Sequence, residues 1–172
     1  MTVPLGLQRY ELFRIRGCVG SNNCGVYGKN SYLYKLKEMA YSKVKGMETR
    51  KHLAAEKKRC NTHNCAQSVV CTYCDLVGLP EQTAQDIAGA YGTGMGNMEG
   101  TCGALVGAGM IIGLATKDRN LSRARMKEIM TKFQQRNGAT QCRLLKGIGT
   151  GTPLRDCPDC VADASEFLEE YL

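Results

Sequence analysis

Ten cysteines in 172 residues constrain this chain more than any other feature of its sequence. Such a count indicates a disulfide scaffold in a small secreted protein, but a metal site, an iron–sulfur cluster or catalytic thiols in a cytosolic one. The N-terminal residues, MTVPLGLQRYELF, lack the basic start and apolar run of a secretory signal, so we expect a cytoplasmic protein. The longest apolar stretch, residues 104–115, is shorter than the roughly 20 residues of a membrane helix. We therefore expect redox or metal chemistry away from the membrane.

The hydrophobic pattern is helical along the chain. Apolar residues at spacings of three and four predict helices over residues 31–45, 48–58, 64–77, 80–90, 102–115, 122–137 and 141–146, and a final helix near 161–171. A glycine-rich loop is predicted over residues 92–100. Since no segment shows the alternation of a strand, we predict an all-α fold, a compact bundle of about five to seven helices with Gly-rich loops.

Charge is unevenly distributed. Residues 1–62 carry 13 basic and 4 acidic side chains, whereas residues 63–117 carry 1 and 4. We interpret the basic excess as a solvated helix face and expect no nucleic-acid partner, because no nucleic-acid motif accompanies it. Attraction of an acidic redox partner, or compensation of a negatively charged cluster, are the alternatives.

Four cysteines share a position at or near the start of a predicted helix: Cys65, Cys102, Cys142 and Cys157. Candidate N-caps precede them at Asn64, Thr101, Thr140 and Asp156. A helix start offers free N–H groups and partial positive charge, which stabilise a thiolate and lower the cysteine pKa. A single cysteine is more often a small buried hydrophobic residue, but four at the same helix position favour a nucleophilic thiol set or a cluster.

Glycines interrupt the predicted helix that follows Cys102, at positions 103, 107 and 109. Each glycine costs about 1 kcal/mol in a helix interior, so this many require a reason. The usual reason is the close approach of another backbone or of a cofactor. We therefore expect a tight contact along this helix.

Five segments, taken in order, carry a resemblance to a known family. They are Asn64-Cys65-Ala66-Gln67, Gly92-Thr93-Gly94-Met95-Gly96, Cys102-Gly103-Ala104-Leu105-Val106-Gly107, Cys142-Arg143-Leu144-Leu145, and Cys157 ahead of Val161-Ala162-Asp163-Ala164. Together they resemble the bacterial C-GCAxxG-C-C family of redox-active proteins. The resemblance divides the chain into a redox domain over residues 61–172 and a basic N-terminal extension over residues 1–60 with one or two helices.

This family resembles the iron–sulfur part of split-Soret cytochrome c, which implies a helical fold with a cysteine-ligated [2Fe–2S] centre. By resemblance, the ligands are Cys65, Cys102, Cys142 and Cys157, and Cys160 is a candidate to replace or supplement Cys157. The haem does not carry over, because both Cys-x-x-Cys motifs lack the histidine that covalent haem attachment needs. By analogy alone, the cytochrome also suggests a homodimer.

The remaining candidate residues leave several interpretations open. Cys71 and Cys74 are interpreted as packing residues, with a redox pair or a second metal site as the alternative. For Cys18, Cys24 and Cys60, metal binding, pairing and no function stay equal. His63 is interpreted as part of a turn, or else as a fifth ligand. The glycine-rich loop lacks the Gly-Lys-Ser/Thr ending of a phosphate loop, so no nucleotide is predicted.

Three functions compete at this point. The first is a [2Fe–2S] protein in electron transfer or redox sensing, with a redox partner protein. The second is a thiol–disulfide redox protein that cycles among the site cysteines. The third is a zinc-stabilised binding module. The sequence shows no acid–base set and no substrate site, so it does not decide whether the protein is an enzyme.

Overall fold

Helices form the regular structure of residues 49–172, the part of the chain that this computed structural model describes. The α-helices are α1 (Lys51–Arg59), α2 (Cys65–Tyr73), α3 (Glu81–Ala88), α4 (Gly103–Thr116), α5 (Arg119–Asn137), α6 (Cys142–Leu145) and α7 (Cys157–Glu169). Short 3-10 helices cover Cys74–Val77 and Gly89–Tyr91. The β-type pairing within these residues is one isolated bridge between Thr101 and Gln141. The predicted all-α class is confirmed. The helix predicted over residues 31–45, and Cys18 and Cys24, lie outside the described residues.

Helix α4 occupies the centre of the bundle and packs against α2, α5 and α7. Two glycines of α4 allow the backbones of α2 and of the Gly89–Tyr91 turn to approach it closely. A Cβ at Gly107 would lie 2.7 Å from the carbonyl oxygen of Ala66, and a Cβ at Gly103 would lie 2.4 Å from the carbonyl oxygen of Tyr91. Since real side chains do not tolerate such distances, the predicted close approach along this helix is confirmed, and a backbone makes it.

Helix α1 packs against α7 although it lies inside the predicted N-terminal extension. Ala54 is fully buried in the common core. Lys51 forms an ion pair with Glu166 at 2.9 Å, and the backbone N–H of Arg50 donates to the carboxylate of Glu169 at 2.6 Å. These contacts attach α1 to the same folded body as the cysteine-rich helices.

The structure corrects two helix boundaries. Helix α2 ends at Tyr73 and tightens into the 3-10 turn, whereas the sequence predicted a helix through residue 77, and Leu76 in this turn is 45% exposed. Helix α5 begins after Asp118 and not at Ser122, because the Asp118 carboxylate caps it by accepting from the N–H of Leu121 at 2.7 Å. Within residues 49–172, no helix has the length and apolar character to cross a membrane.

Candidate functional site

The start of α2 fixes the first site cysteine. The side chain of Asn64 accepts a hydrogen bond from the backbone of Gln67 at 2.9 Å, and the Gln67 side chain accepts one from the backbone of Asn64 at 3.0 Å. This is a capping box, so the predicted cap at Asn64 is confirmed. The Asn64 amide also donates to the carbonyl oxygens of Ala88 and Gly89. Cys65 is thereby held at the first position of α2.

Backbone pairing joins the starts of α4 and α6. The N–H of Cys102 donates to the carbonyl of Thr140 at 2.8 Å, and the N–H of Cys142 donates to the carbonyl of Gly100 at 3.0 Å. In this arrangement Cys102 itself is the N-cap of α4, and Gln141 is the N-cap of α6. The predicted caps at Thr101 and Thr140 are therefore wrong.

The fourth helix start belongs to α7. Asp156 occupies the N-cap position as predicted, although its side chain makes no capping hydrogen bond. Pro158 stands in the first turn, where its missing N–H is not needed. Cys157 and Cys160 are three residues apart and so lie on the same face of α7.

The side chains of these helix starts meet as two thiol pairs. Cys65 is hydrogen-bonded to Cys157, and Cys102 is hydrogen-bonded to Cys160. All are free cysteines, as is Cys142, which interacts electrostatically with Cys102 and Cys157. Exposure is 6% for Cys65, 4% for Cys102, 5% for Cys142 and 2% for Cys160, whereas Cys157 is half-buried. Electrostatic interactions thus link all five cysteines that the sequence singled out, and Cys157 alone among the five is half-buried.

The Cys65–Cys157 pair is strongly asymmetric. A hydrogen bond from Cys65, together with one from Lys146, lowers the pKa of Cys157 to about 5, against the opposing effect of burial. The pKa of Cys65 is raised far above its usual range, because it donates to Cys157 and because it is buried. At neutral pH Cys157 is therefore a thiolate and Cys65 a thiol.

The pKa values of Cys102 and Cys160 are also shifted in opposite directions, and both of these thiols are buried. The hydrogen bond from Cys160 lowers the pKa of Cys102, and the backbone N–H groups of Ala104 and Leu105 add to this effect. The pKa of Cys160 is raised, because it donates to Cys102 and because it is buried. The hydrogen bond within each pair therefore shifts the pKa values of its two thiols in opposite directions.

A comparison with family models shows which protein family the chain matches. Residues 63–171 match a family described as "Putative redox-active protein (C_GCAxxG_C_C)". The chain belongs to this family. Among curated proteins and solved structures, nothing matches the chain. The residues of the family match include all five site cysteines, so the family's redox-active description and the converging thiols refer to the same part of the molecule.

Within the family region, the glycine-rich loop over residues 92–100 covers Cys142. Gly94 adopts a φ of +56°, and a Cβ there would lie 2.6 Å from the Cβ of Cys142. The loop continues this contact through Met98, whose carbonyl accepts from the N–H of Arg143 at 2.9 Å. Burial raises the pKa of Cys142 above its usual range. The glycines of this loop therefore permit close packing over a thiol.

Lys146 is a site residue that the sequence argument missed. Its ammonium group is hydrogen-bonded to the Cys157 thiolate, which raises the pKa of the lysine. Lys58 adds a second positive charge that lowers the pKa of Cys157. The available signal was the spacing, since Lys146 follows Cys142 by four residues and so lies one helical turn beyond it.

The other cysteines of the described region make different contacts. Cys71 and Cys74 belong to the hydrophobic core, and the Cys74 thiol donates to the carbonyl of Cys71 at 3.7 Å. Burial raises the pKa of Cys71 to about 11. Cys60 follows α1 and donates from its thiol to the carboxylate of Glu56 at 3.4 Å.

His63 has protein partners for both ring nitrogens. Its Nδ1 lies 2.9 Å from the hydroxyl of Thr62, and its Nε2 lies 3.4 Å from the amide nitrogen of Gln85. Burial lowers its pKa. These contacts suit the interpretation of His63 as part of the turn before α2.

Across residues 49–172, no three Cys, His, Asp or Glu side chains are grouped in a way that could hold a metal ion. The thiols stand in two pairs, with Cys142 beside them. Each pair of thiols can release two electrons by forming a disulfide bond. The five thiols also share one largely buried region, in which Cys157 is half-buried.

Proposed function

We propose that this redox-active protein holds a [2Fe–2S] cluster through Cys65, Cys102, Cys142 and Cys157, and that it serves electron transfer or redox sensing with a partner protein. The observation that carries the proposal is the convergence of these thiols from the starts of four separate helices. A cluster of this type takes four cysteine thiolates, and an all-sulfur donor set suits iron–sulfur chemistry.

The paired arrangement of the thiols supports a two-iron centre better than a single metal ion. Each iron of a [2Fe–2S] cluster takes two of the four thiolates. Cys65 and Cys157 already form one pair, and Cys102 and Cys142 are close enough to interact electrostatically. A zinc-stabilised module needs three or four ligands around one ion, whereas the thiols of this site stand in pairs.

The surrounding residues contribute charge compensation and exclusion of water. Lys146 and Lys58 place positive charge beside Cys157, and the N–H groups of Ala104 and Leu105 favour the anionic form of Cys102. Burial of Cys65, Cys102 and Cys142 keeps water from most of the site. A bound cluster would supply one-electron transfer. A protein sets the reduction potential of such a cluster through hydrogen bonds, net charge and solvent exposure.

Anaerobic reconstitution of the full chain with ferrous iron and sulfide tests this proposal. We expect two iron and two sulfide per chain, with absorption bands at about 400–500 nm from thiolate-bound iron. Cys102→Ser should lower iron binding at least tenfold, whereas the matched control Cys71→Ser should bind as much iron as wild type. Full iron retention by Cys102→Ser, or no iron in the reduced wild-type protein, would contradict the proposal.

A second candidate function, thiol–disulfide exchange, is favoured by the asymmetry of the Cys65–Cys157 pair. The half-buried Cys157 thiolate would attack a disulfide of the partner and release one of its sulfurs as a thiolate. Cys65 would lose its proton and attack the mixed disulfide, which forms the Cys65–Cys157 bond and releases the second partner sulfur. In metal-free protein, Cys65→Ser should then stop at the mixed disulfide. Complete turnover by that variant, measured by mass spectrometry, would exclude this route.

A further inference from the structure

A buried carboxylate on α7 joins two arginines from different segments of the chain. Asp163 is 5% exposed. One of its oxygens accepts a hydrogen bond from Arg136 of α5 at 3.0 Å, and the other accepts from two nitrogens of Arg155, at 3.1 and 3.0 Å. Arg155 lies in the loop between α6 and α7, two residues before Cys157. Because charge-assisted hydrogen bonds to the planar guanidinium are strong and directional, the side chain of Arg155 ties this loop to α7.

The backbone of the same arginine is bound to the end of α6. The carbonyl of Leu145 accepts from the N–H groups of Leu154 and Arg155, at 3.0 and 3.3 Å. Helix α6 is a single turn of four residues that begins at Cys142, and short isolated helices are only marginally stable in water. Its position therefore depends on contacts at its two ends. At the start the N–H of Cys142 donates to the carbonyl of Gly100, and at the end the two bonds to Leu145 hold it.

The loop that connects α6 to Arg155 folds back on itself. Gly147 adopts a φ of +70°, and a Cβ there would lie 2.4 Å from the carbonyl oxygen of Thr152. The N–H of Gly151 also donates to the carbonyl of Gly147 at 2.8 Å. Past this fold, the carbonyl oxygen of Arg155 lies 3.9 Å from the sulfur of Cys160. Arg155 thus contacts α6 through its N–H, α7 through its side chain and a site thiol through its carbonyl.

We propose that Arg155 and Asp163 are positioning residues of the thiol site. Neither is a ligand in the proposed cluster. Together they fix the segment before Cys157 against the end of the helix that starts at Cys142, so that the thiols of α6 and α7 keep their separation in the metal-free protein. The consequence for iron binding rests on the proposed function, whereas the arrangement of the metal-free site does not.

Arg136 provides a matched control, because it shares Asp163 with Arg155 but does not contact the loop. The two arginine side chains are equally exposed, at 37%. Arg136 also pairs with Glu166 at 2.9 Å, and its guanidinium lies 4.2 Å from the centre of the Phe167 ring. If the ion pairs only stabilise the fold, Arg136→Gln should disturb the site at least as much as Arg155→Gln. Positioning predicts the opposite order.

Amide hydrogen exchange in reduced, metal-free full-length protein tests the arrangement. After correction for global stability from urea unfolding, we expect Arg155→Gln and Asp163→Asn to speed exchange of the Leu154 N–H at least tenfold. Arg136→Gln should change this rate less than twofold. Arg155→Lys keeps the charge without the planar fork and should give an intermediate rate. Equal Leu154 exchange rates in Arg155→Gln and Arg136→Gln would overturn the proposal.

Iron reconstitution separates this inference from the proposed function. Residues that hold metal ligands in place typically contribute roughly 10–100-fold to metal affinity. Arg155→Gln should therefore bind iron about tenfold more weakly than wild type and alter the visible circular dichroism of the bound cluster, whereas Arg136→Gln should preserve both.

Two outcomes tell the proposals apart. If wild type binds no iron while Arg155→Gln alone speeds Leu154 exchange, the cluster proposal fails and the positioning role stands. If wild type and Arg155→Gln bind iron with the same affinity and the same spectrum, the cluster proposal stands and this inference fails.

Discussion

Two Cys-x-x-Cys motifs of this chain have the same spacing and lie at opposite ends of their helices. Cys71-Thr72-Tyr73-Cys74 lies at the C-terminal end of α2, where the helix tightens into a 3-10 turn. Cys157-Pro158-Asp159-Cys160 begins α7, where backbone N–H groups are free to stabilise anionic sulfur. The first motif is buried in the core, and the second supplies two of the five converging thiols.

Each motif also has a lysine, and the two lysines contact different atoms. Lys57 donates to the carbonyl oxygen of Cys71 at 2.9 Å, so its hydrogen bond is to the backbone. Lys146 is hydrogen-bonded to the thiolate of Cys157. Burial raises the pKa of Cys71 to about 11, whereas hydrogen bonds from Cys65 and then Lys146 lower the pKa of Cys157 to about 5. The comparison teaches that helix position and partner geometry, and not spacing, distinguish a reactive motif from a packed one.

The largest expected difference between the two motifs is in alkylation rate. At pH 7 almost every Cys157 is a thiolate, against about one in ten thousand for Cys71. The greater nucleophilicity of the more basic thiolate offsets much of this, which leaves roughly a 20-fold advantage for Cys157. Burial of Cys71 should increase the ratio further. Iodoacetamide labelling of the reduced metal-free protein, followed by peptide mass spectrometry, measures both rates.

Removing the charge of each lysine in turn tests this contrast between the two motifs. Lys146→Gln should slow Cys157 labelling at pH 6 several-fold, because its pKa rises without the ammonium group. Lys57→Gln is the matched control and should leave the Cys157 rate unchanged. Equal effects of the two substitutions would mean that general surface charge, and not the hydrogen bond, sets the reactivity.

The pH dependence of stability gives a second, smaller contrast. Folded Cys157 is deprotonated from about pH 5, whereas in the unfolded chain it keeps its proton up to its ordinary value near 9. Since the unfolded state then binds more protons, the free energy of unfolding rises with pH across this window, and the gain is lost as pH falls through about 5. Because Cys157 is partly exposed, we discount the full shift and expect a gain of roughly 1–2 kcal/mol between about pH 5.5 and 8.5.

Urea unfolding of reduced, metal-free protein measures that gain. Cys157→Ser should flatten the rise, whereas Cys71→Ser should not, because folded Cys71 with its pKa of about 11 stays protonated throughout the window. The raised pKa of Cys65 opposes stability only above this window, where an unfolded thiol would ionise. An unchanged slope in Cys157→Ser would show that this thiol does not carry the effect.

The smallest expected effect is the stability cost of truncating the packed motif. Cys74→Ala removes a buried sulfur and should lower the free energy of unfolding by roughly 1 kcal/mol. The labelling rate of Cys157 and the iron content after reconstitution should match those of wild type. A loss of iron in Cys74→Ala would indicate that the two motifs are coupled after all.

Much of the local structure could be predicted from sequence, because it depends on neighbouring residues. Asn64 and Gln67 form the expected capping box, and Gly78 and Gly138 adopt positive φ values where helical structure was expected to end. The caps at Thr101 and Thr140 could not be predicted correctly. These threonines take part in pairing between segments about 40 residues apart, which no local signal reveals.

The features of the site also divide into those that could be predicted from the sequence and those that depend on tertiary packing. That Cys65, Cys102, Cys142 and Cys157 stand at or beside helix starts follows from the sequence, since caps and apolar periodicity act within a few residues. Which thiol meets which depends on how α2, α4 and α7 pack. The family resemblance offered Cys160 to replace or supplement Cys157, whereas the hydrogen bond of Cys160 in the structure is with Cys102.

The sequence by itself determined an all-α chain, the glycines that let α4 approach its neighbours, and cysteines placed at or beside helix starts. Only the tertiary structure decided the two thiol pairs, the contact of Lys146 with Cys157 and the burial of Cys71 and Cys74. The physical reason is range. Capping and helix periodicity operate over one or two turns, but the pKa of a thiol depends on burial and on charges that distant segments bring to it.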